Sequence, residues 1–598
     1  MGSVTRALLT SRLIWTWRPA TGKHLEILSS WRTRSSNVQR PGVRGFCTQG
    51  LRGKLEERSV GCTAGGPTLK DFLMPRKDLR DLDPDDDEQV AYLSEVVSNG
   101  HGRKVFFETL GCQMNVSDTE IAWAILQQNG FGRTTDVTEA DIILLVTCTI
   151  REKPELTVWK RVAQYKALKR RRKAHQPHLQ IGILGCMAEQ LRHDILERER
   201  AVDVVAGPDA YRDLPRLLAT ACSGQQAINV QLSVDETYAD VTPVRMQPGA
   251  PSAFVSITRG CNNMCSYCVV PFTRGRERSR PLSSVLEEVR NLSQQGVKEV
   301  VLLGQNVNSY LDPGVSSMAT NPPPPLSKGF RNRCHRKVGG TGFAELLDQV
   351  SSVDPEMRIR FTSPHPKDFP DEVLHVIRER PNICKQIHLP AQSGSTRILE
   401  AMKRGHTREA YLDLVEHIKK VIPGVCLSSD FIAGFCGETE DDHQETLSLI
   451  RTVCYTMAYL FSYSMRKKTH ASHRLQDNVP LVTKHRRVTE LTETFRSTAS
   501  SLNSTVVGTT LLVLADKISR RSKAELLGRS EGHSVVFPAA LVPTHPGATN
   551  LSPIFPGDYV AVRITSSNSQ TLKGFPLYHT TLHSFYQSAA NVSDAAAS

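Results

Sequence analysis

Three cysteines fall within eight residues in "GCNNMCSYCVV", at positions 261, 265 and 268, whereas the remaining cysteines are spaced more widely. Three thiolates on so short a loop can converge on one soft metal centre. A structural zinc site closes with four ligands, and "VVPFTRGRERSRPLSS" downstream supplies no further Cys or His. Cubane iron–sulfur clusters are held by cysteine thiolates and contain four irons, so three cysteines leave one iron for a ligand from outside the chain. A zinc or disulfide loop is the alternative reading. A second set is more dispersed. Cys112, Cys148 and Cys186 each follow an apolar run and precede a helical stretch, in "RKVFFETLGCQMNVSD", "ADIILLVTCTIREKPE" and "LQIGILGCMAEQLRHDI". Ligands gather at the carboxyl edge of open parallel sheets, so thiolates brought there would make a second three-cysteine site. The alternative is three buried structural cysteines.

The elements that must position these residues follow from the patterning. Continuous apolar strands alternating with helices over 101–222 indicate a parallel α/β domain, with Ser117/Asp118 as the cap of its first helix. Over 247–500 six β/α units are expected. Their strands lie in "AFVSITRGC", "KEVVLLGQNVNSY", "RIRFTSPHP", "QIHLPAQSGS", "LSSDFIAGFCGE" and "LFSYSMRKKTHA", giving a full or partial barrel with its chemistry at the strands' carboxyl ends. Residues 311–341 interrupt the series with four consecutive prolines and read as an exposed, mobile insertion. From 504 to 585 short strands separated by Gly, Asp and Pro turns suggest a small OB-like barrel, followed by a tail at 586–598. That barrel carries Lys517, Arg520, Arg521, Lys523, Arg529, Arg563 and Lys573, a basic bias compatible with RNA and equally with a solvated face. The run "YKALKRRRKAHQ" (165–176) could touch phosphates, although solvated surface is its default reading. The fold class is therefore multidomain α/β.

A chain of 598 residues is too long for one ordinary core. No run of about 18 apolar residues offers a membrane span. Fourteen cysteines in so large a chain suit metal ligands and buried thiols in a reducing compartment better than a disulfide scaffold. Of the net charge of +13, residues 1–50 contribute eight basic residues against the single acid Glu26. Rich in Arg, Ser and Thr, with Arg44 three residues before Cys47, the segment 1–46 reads as a mitochondrial transit peptide. The alternative is a basic tail with no address. Residues 47–100, with "LDPDDDEQ", read as a disordered linker.

Cys-x₃-Cys-x-aromatic-Cys, with Tyr267 as the aromatic, resembles the radical S-adenosylmethionine (SAM) signature. Together with "TLGCQMN", "TCTIREK", "GCMAEQ", "LLGQNVNSY", "LPAQSGS" and "DFIAGFCGET", the chain resembles the radical-SAM methylthiotransferases, in their MiaB-like branch, over roughly residues 100–585. The C-terminal barrel resembles their RNA-binding TRAM domain. The resemblance implies conversion of N6-isopentenyladenosine, 3′ of the anticodon, to its 2-methylthio derivative in mitochondrial tRNAs, with the enzyme in the matrix. It implies two 4Fe-4S clusters and SAM. Cys261, Cys265 and Cys268 would hold the SAM-cleaving cluster, and Cys112, Cys148 and Cys186 the auxiliary, sulfur-carrying one. SAM contacts would come from Tyr267, Gly304, Gln305, Asn306, Gln392, Ser393, Gly434, Gly437 and Glu438. The tRNA anticodon stem-loop, an electron donor and a sulfur source would be the partners. Three positions depart from the family pattern: Cys436 for Pro in Gly-Phe-Pro-Gly-Glu, Lys468 for Gly in the last strand's motif, and Pro154 for Ala.

Adenine C2 carries a hydrogen that no side-chain base can usefully remove, and radical chemistry of that kind belongs to cofactors. One site would cleave SAM and the other would donate sulfur. Rival enzymes modify threonylcarbamoyladenosine, whose eukaryotic form typically has a C-terminal anchor unlike "YQSAANVSDAAAS", or a ribosomal-protein aspartate. A non-catalytic partner of a kinase regulator is the rival from another class, and two intact cysteine triplets argue against it.

Overall fold

The computed structural model describes residues 100–149, 152–173, 177–314, 326–331 and 339–588. The transit-peptide reading, the linker before Gly100 and the end of the tail lie outside them. Strands β1 (Lys104–Thr109), β2 (Gly132–Arg133), β3 (Ile142–Thr147), β4 (Gln180–Gly185), β5 (Val204–Ala206) and β6 (Ala227–Asn229) form a parallel sheet in the order β2-β1-β3-β4-β5-β6. Every residue of β3 and β4 is buried, as strands covered on both faces require. Because β1, β3 and β4 are immediate neighbours, with Thr109 opposite Val146 and Thr147 opposite Gly185, their carboxyl ends lie side by side. Cys112, Cys148 and Cys186 follow those ends directly.

Helix α1 (Gln113–Gln128) begins four residues before the expected cap. Gly111, at φ +136°, turns the chain out of β1, and Cys112 becomes the N-cap residue. Ser117 and Asp118 lie buried within the helix. Helix α2 (Glu152–Arg171) carries the basic run, but Lys166, Lys169 and Arg172, just beyond its end, pair with Glu199, Asp203 and Asp141. Much of that run therefore serves the domain's own acids.

The six expected barrel strands are β7 (Ser252–Ser256), β8 (Glu299–Leu303), β9 (Arg358–Phe361), β10 (Gln386–His388), β11 (Cys426–Ala433) and β12 (Met457–Ser462). They form two parallel triplets, β7-β8-β9 and β10-β11-β12, which meet through a bridge between Ile359 and Ile383, so the barrel is partial. Val255, Val300, Leu302, Ile387, Leu427 and Phe431 belong to one continuous core with the surrounding helices. The alternate residues Phe254, Val301 and Leu303 pack instead against Cys112 and Met114. The first turn of α1 thus sits against the other face of β7 and β8.

The C-terminal strands β13 (Thr510–Ile518), β14 (Glu525–Arg529), β15 (Ser534–Pro538), β16 (Tyr559–Ser567) and β17 (Thr571–His579) close a five-stranded barrel, β13-β14-β15-β17-β16. It docks on the amino ends of β7–β9, the end away from the cysteine loop. Arg358 donates to Arg529 O at 2.7 Å and Leu512 O at 3.0 Å, and Arg529 pairs with Glu299 at 2.8 Å. Burial opposes ionisation of Glu299, yet Arg360 and Arg529 together hold its carboxyl at about 2. Arg529 is therefore committed to docking, while Lys517, Arg520, Arg521, Lys523, Arg563 and Lys573 stay exposed. Packing continues past 585, since Phe585 and Tyr586 cover Leu512, Leu514 and Tyr559.

The insertion is not exposed throughout. Leu311–Asp312 pairs with Thr341–Gly342, and residues 326–331 dock on the six-stranded partial barrel. There Phe330 stacks on His406 at 4.6 Å and Arg331 N–H donates to Gly405 O. Residues 315–325 and 332–338 lie outside the described residues.

Candidate active site

The N-terminal triad meets at the sheet edge. Gly111 lies so close to Cys148 that a Cβ on it would stand 2.5 Å from the Cys148 Cβ, which is why glycine precedes Cys112. A hydrogen bond between Cys112 and Cys148 pulls the Cys112 thiol down to about 6, aided against burial by the nearby Arg274 guanidinium. Cys186 opens helix α3 (Cys186–Leu191). Burial pushes its thiol up, while Arg274 Nε donates to its Sγ at 3.1 Å. Three buried or half-buried sulfurs beside a buried cation suit a thiolate-ligated iron–sulfur cluster.

Arg274 comes from the other domain. It follows the short helix α4 (Val270–Thr273), which packs on α3. Its Nη2 lies 2.6 Å from Asp118 Oδ2 and 3.2 Å from Asn115 Oδ1. Arg259, just before Cys261, pairs with the other Asp118 oxygen at 2.9 Å and lies 4.8 Å from the Tyr238 ring centroid. Asp118 thus locks the cysteine-bearing loop of the barrel onto the N-terminal domain.

The second triad lies on that loop. Gly260 turns it at φ +76°, and a Cβ there would meet Arg276 O at 2.0 Å. Cys261 N–H donates to Gly275 O at 3.2 Å, and Asn263 N–H lies 3.4 Å from Cys261 Sγ. Burial raises the Cys261 thiol, with Glu277, Cys268 and Cys265 adding to the rise. Burial also pushes Cys268 to about 12, with Cys265 next in effect. Burial is thus the main bar to the thiolate form at Cys261 and Cys268 and the neighbouring sulfurs add to it, a setting that a cationic cluster core would relieve. Buried Arg404 donates from Nη1 to Cys265 Sγ at 3.5 Å and from Nη2 to Pro390 O at 2.8 Å. Its Nε has no partner among the described residues.

The expected SAM contacts divide. Tyr267 packs with Phe435, Cys436 and Tyr463, so the 434–438 loop and the triad share one apolar cluster. Gln305 Oε1 accepts from Gly260 N–H at 2.6 Å and braces the triad's first turn. A Cβ on Gly304 would fall 2.2 Å from Thr258 Oγ1, a buried hydroxyl without a partner among the described residues. Asn306 donates to Asp368 at 3.2 Å and leaves its buried Oδ1 without one. Gln392 sits at φ +71° with its backbone bonded to Asp430 and Ile432. Ser393 Oγ lies 3.4 Å from Thr446 Oγ1. Gly434 and Gly437 both have φ +74°. Glu438 accepts from Gly434 N–H and Arg487, which makes it a brace of its own loop. Lys468 has the left-handed φ of +68° that suits the family's glycine, and its Nζ donates to Gln190 O at 2.9 Å in α3.

Spacing gave no sign of Arg274, Arg404 or Asp118. Arg259 and Arg274 flank the cysteine motif, but Arg274 opens the charged run "RGRERSR", so its type and position do not single it out in the sequence.

Three family models match the chain: "Uncharacterized protein family UPF0004" over residues 104–207, "Radical SAM superfamily" over 255–450 and "TRAM domain" over 505–577. The chain is 56% identical to the mitochondrial tRNA methylthiotransferase CDK5RAP1 of Rattus norvegicus, over 94% of this chain and 96% of the relative. It is 59% identical to that of Homo sapiens, covering 87% of this chain and 89% of the relative. With the tRNA-2-methylthio-N(6)-dimethylallyladenosine synthase of Christiangramia forsetii it shares 47% identity, over 79% of this chain and 94% of the relative. Identity of this level across all three domains, over two cysteine triads locked together by Asp118, means that the chain belongs to the radical-SAM tRNA methylthiotransferase family.

Proposed function

We propose that this chain is a mitochondrial tRNA methylthiotransferase that converts N6-isopentenyladenosine, 3′-adjacent to the anticodon, into 2-methylthio-N6-isopentenyladenosine. The observation that carries the reading is the pair of separate cysteine triads, one in each of two domains joined through Asp118. Cys261, Cys265 and Cys268 would hold one 4Fe-4S cluster and Cys112, Cys148 and Cys186 the other. When bound, the first supplies reductive cleavage of SAM and the second supplies the sulfur for transfer to adenine C2.

The chain's own residues do the positioning. Gly260 and Gln305 fix the turn that presents Cys261, and Arg404 steadies Cys265. Tyr267 and the 434–438 loop wall the triad with apolar surface that keeps water from a reactive centre. Cys112 caps the N-terminus of α1, and its hydrogen bond with Cys148 favours the thiolate form that ligates iron. Asp118 and Lys468 hold the sulfur-donor domain against the barrel from two sides.

The exposed basic residues of the C-terminal barrel support binding of the anticodon stem-loop, with phosphates as the contacts. The basic, acid-poor segment 1–46 supports import to the matrix. No helix among the described residues is long and apolar enough to cross a membrane. Nucleoside mass spectrometry of mitochondrial tRNA from cells lacking the protein tests the reading. The 2-methylthio derivative should vanish while N6-isopentenyladenosine accumulates. An unchanged methylthio signal would refute it, and loss of a threonylcarbamoyl derivative instead would favour the rival substrate.

A further inference from the structure

Arg274 stands at the join of the two cysteine triads. It is 2% exposed. Two of its three nitrogens are spent across the domain boundary, Nε on Cys186 Sγ and Nη2 on Asn115 and Asp118. Nη1 is buried and has no hydrogen-bond partner among the described residues. An unmet buried donor costs about 1–3 kcal/mol. Arg259 Nη2 is likewise unpartnered among the described residues, but of these two arginines only Arg274 has the unpartnered nitrogen on a guanidinium that also donates to a triad sulfur. The next residue, Gly275, accepts the Cys261 N–H through its carbonyl. One dipeptide therefore holds a cysteine of each triad, by side chain on one side and by backbone on the other.

We propose that Arg274 is a positioning residue for the sulfur-donor site, supplied to it from the SAM-cleaving domain. The inference rests on Cys112, Cys148 and Cys186 being cluster ligands. With the cluster in place, Nε would remain the donor to the Cys186 sulfur, and Nη1 is the nitrogen available to donate to a cluster sulfur. Hydrogen bonds to cluster sulfurs and nearby positive charge raise a cluster's reduction potential. Arginine is suited to this because its rigid fork reaches a sulfur, a sulfide and a carboxylate at once, whereas a lysine ammonium is a point donor. Since the same loop presents Cys261, the two sites are held in register by one short stretch of chain. Arg259 shares Asp118 and makes no hydrogen bond to a cysteine among the described residues, which separates the effect of contact from that of charge.

The test uses the full-length chain with Cys261, Cys265 and Cys268 all replaced by Ala, so that any remaining cluster is the N-terminal one. Arg274→Lys, Arg274→Gln and Arg259→Lys are added singly. After anaerobic reconstitution, iron content and the midpoint potential from an EPR-monitored redox titration are measured. Both Arg274 variants should retain iron and titrate at a more negative potential, the Gln variant further than the Lys variant, while Arg259→Lys stays near the parent. Should Arg274→Gln shed its iron, Arg274→Lys decides alone. Unchanged potentials and spectra in the iron-bearing Arg274 variants would overturn the proposal, as would an equal shift in Arg259→Lys. Loss of iron from Arg274→Lys as well, with Arg259→Lys intact, would overturn the tuning role in favour of a purely structural one. A parent without iron would instead refute the ligand assignment of the N-terminal triad.

Discussion

Replacing Asp118 by Asn should loosen the N-terminal domain from the barrel. Asp118 is fully buried and its two oxygens serve two arginines that are themselves buried, Arg259 at 2.9 Å and Arg274 at 2.6 Å. The amide keeps the shape and loses the charge, so both guanidiniums stay in the interior without their main counter-charge. They are not equally exposed to the loss. Arg259 retains Glu236 at 3.6 Å and the face of Tyr238. Arg274 keeps neutral Asn115 and the Cys186 sulfur. Breaking a buried pair from one side costs about 3–5 kcal/mol, and most of it should fall on Arg274. Against a domain stability of about 5–15 kcal/mol this is a large fraction. The assay is urea unfolding of the apo protein followed by circular dichroism, with limited proteolysis between 223 and 251 as a local probe of domain release. In a multidomain chain the first transition is the informative one. A change below about 1 kcal/mol in that transition, with unaltered proteolysis, would refute the claim that Asp118 locks the two domains.

Three further outcomes follow from other residues. Burial raises the Glu120 carboxyl from 4.5 to about 7, so the folded state holds the extra proton between those values and stability falls as pH rises through that window. Glu120→Gln should remove this slope and stabilise the protein at pH 8 by at most about 3 kcal/mol; thermal melts at pH 5 and pH 8 that respond identically in wild type and variant would contradict it. Lys468→Gly exchanges a left-handed backbone cost of about 1–2 kcal/mol for a lost hydrogen bond of about 1 kcal/mol and should be near neutral, whereas Lys468→Ala keeps the strain, loses the bond and should lower the melting temperature. Deleting residues 1–46 should leave methylthiotransferase activity in vitro but strand the chain in the cytosol, and mitochondrial fluorescence of a tagged truncation would show that segment to be no address.

The chemistry was more legible in the sequence than its support. The strand–Cys–helix repeats at 148 and 186 could be read because β3 and β4 are buried on both faces, and that at 112 because β1, though half-exposed, carries the apolar run Val105–Phe107 before its Gly-Cys turn. That the three strands are neighbours was not visible, since order within a parallel sheet is set by helix packing far from each strand. The motif at 261–268 is local and needed no fold. Arg274 and Arg404 reach cysteines 88 and 139 residues away, a pairing that no periodicity encodes. Ser117 and Asp118 look like a helix cap because their types favour one, but burial and two arginines outweigh that preference here. The basic run of α2 read as surface or phosphate contact because its partners Asp141, Glu199 and Asp203 lie on other elements.

The division of labour between the two triads is tested most directly by comparing Cys148→Ala with Cys265→Ala after anaerobic reconstitution, scoring iron, 5′-deoxyadenosine and methylthiolated tRNA in one experiment. Wild type should bind about eight irons and each variant about four if its remaining cluster is intact. Because cluster binding and folding are coupled, circular dichroism must match between the two variants before they are compared. Cys148→Ala should still release 5′-deoxyadenosine under a strong reductant and form no 2-methylthio product. Cys265→Ala should form neither. Methylthiolation by Cys148→Ala at the wild-type rate would contradict the sulfur-donor role of Cys112, Cys148 and Cys186.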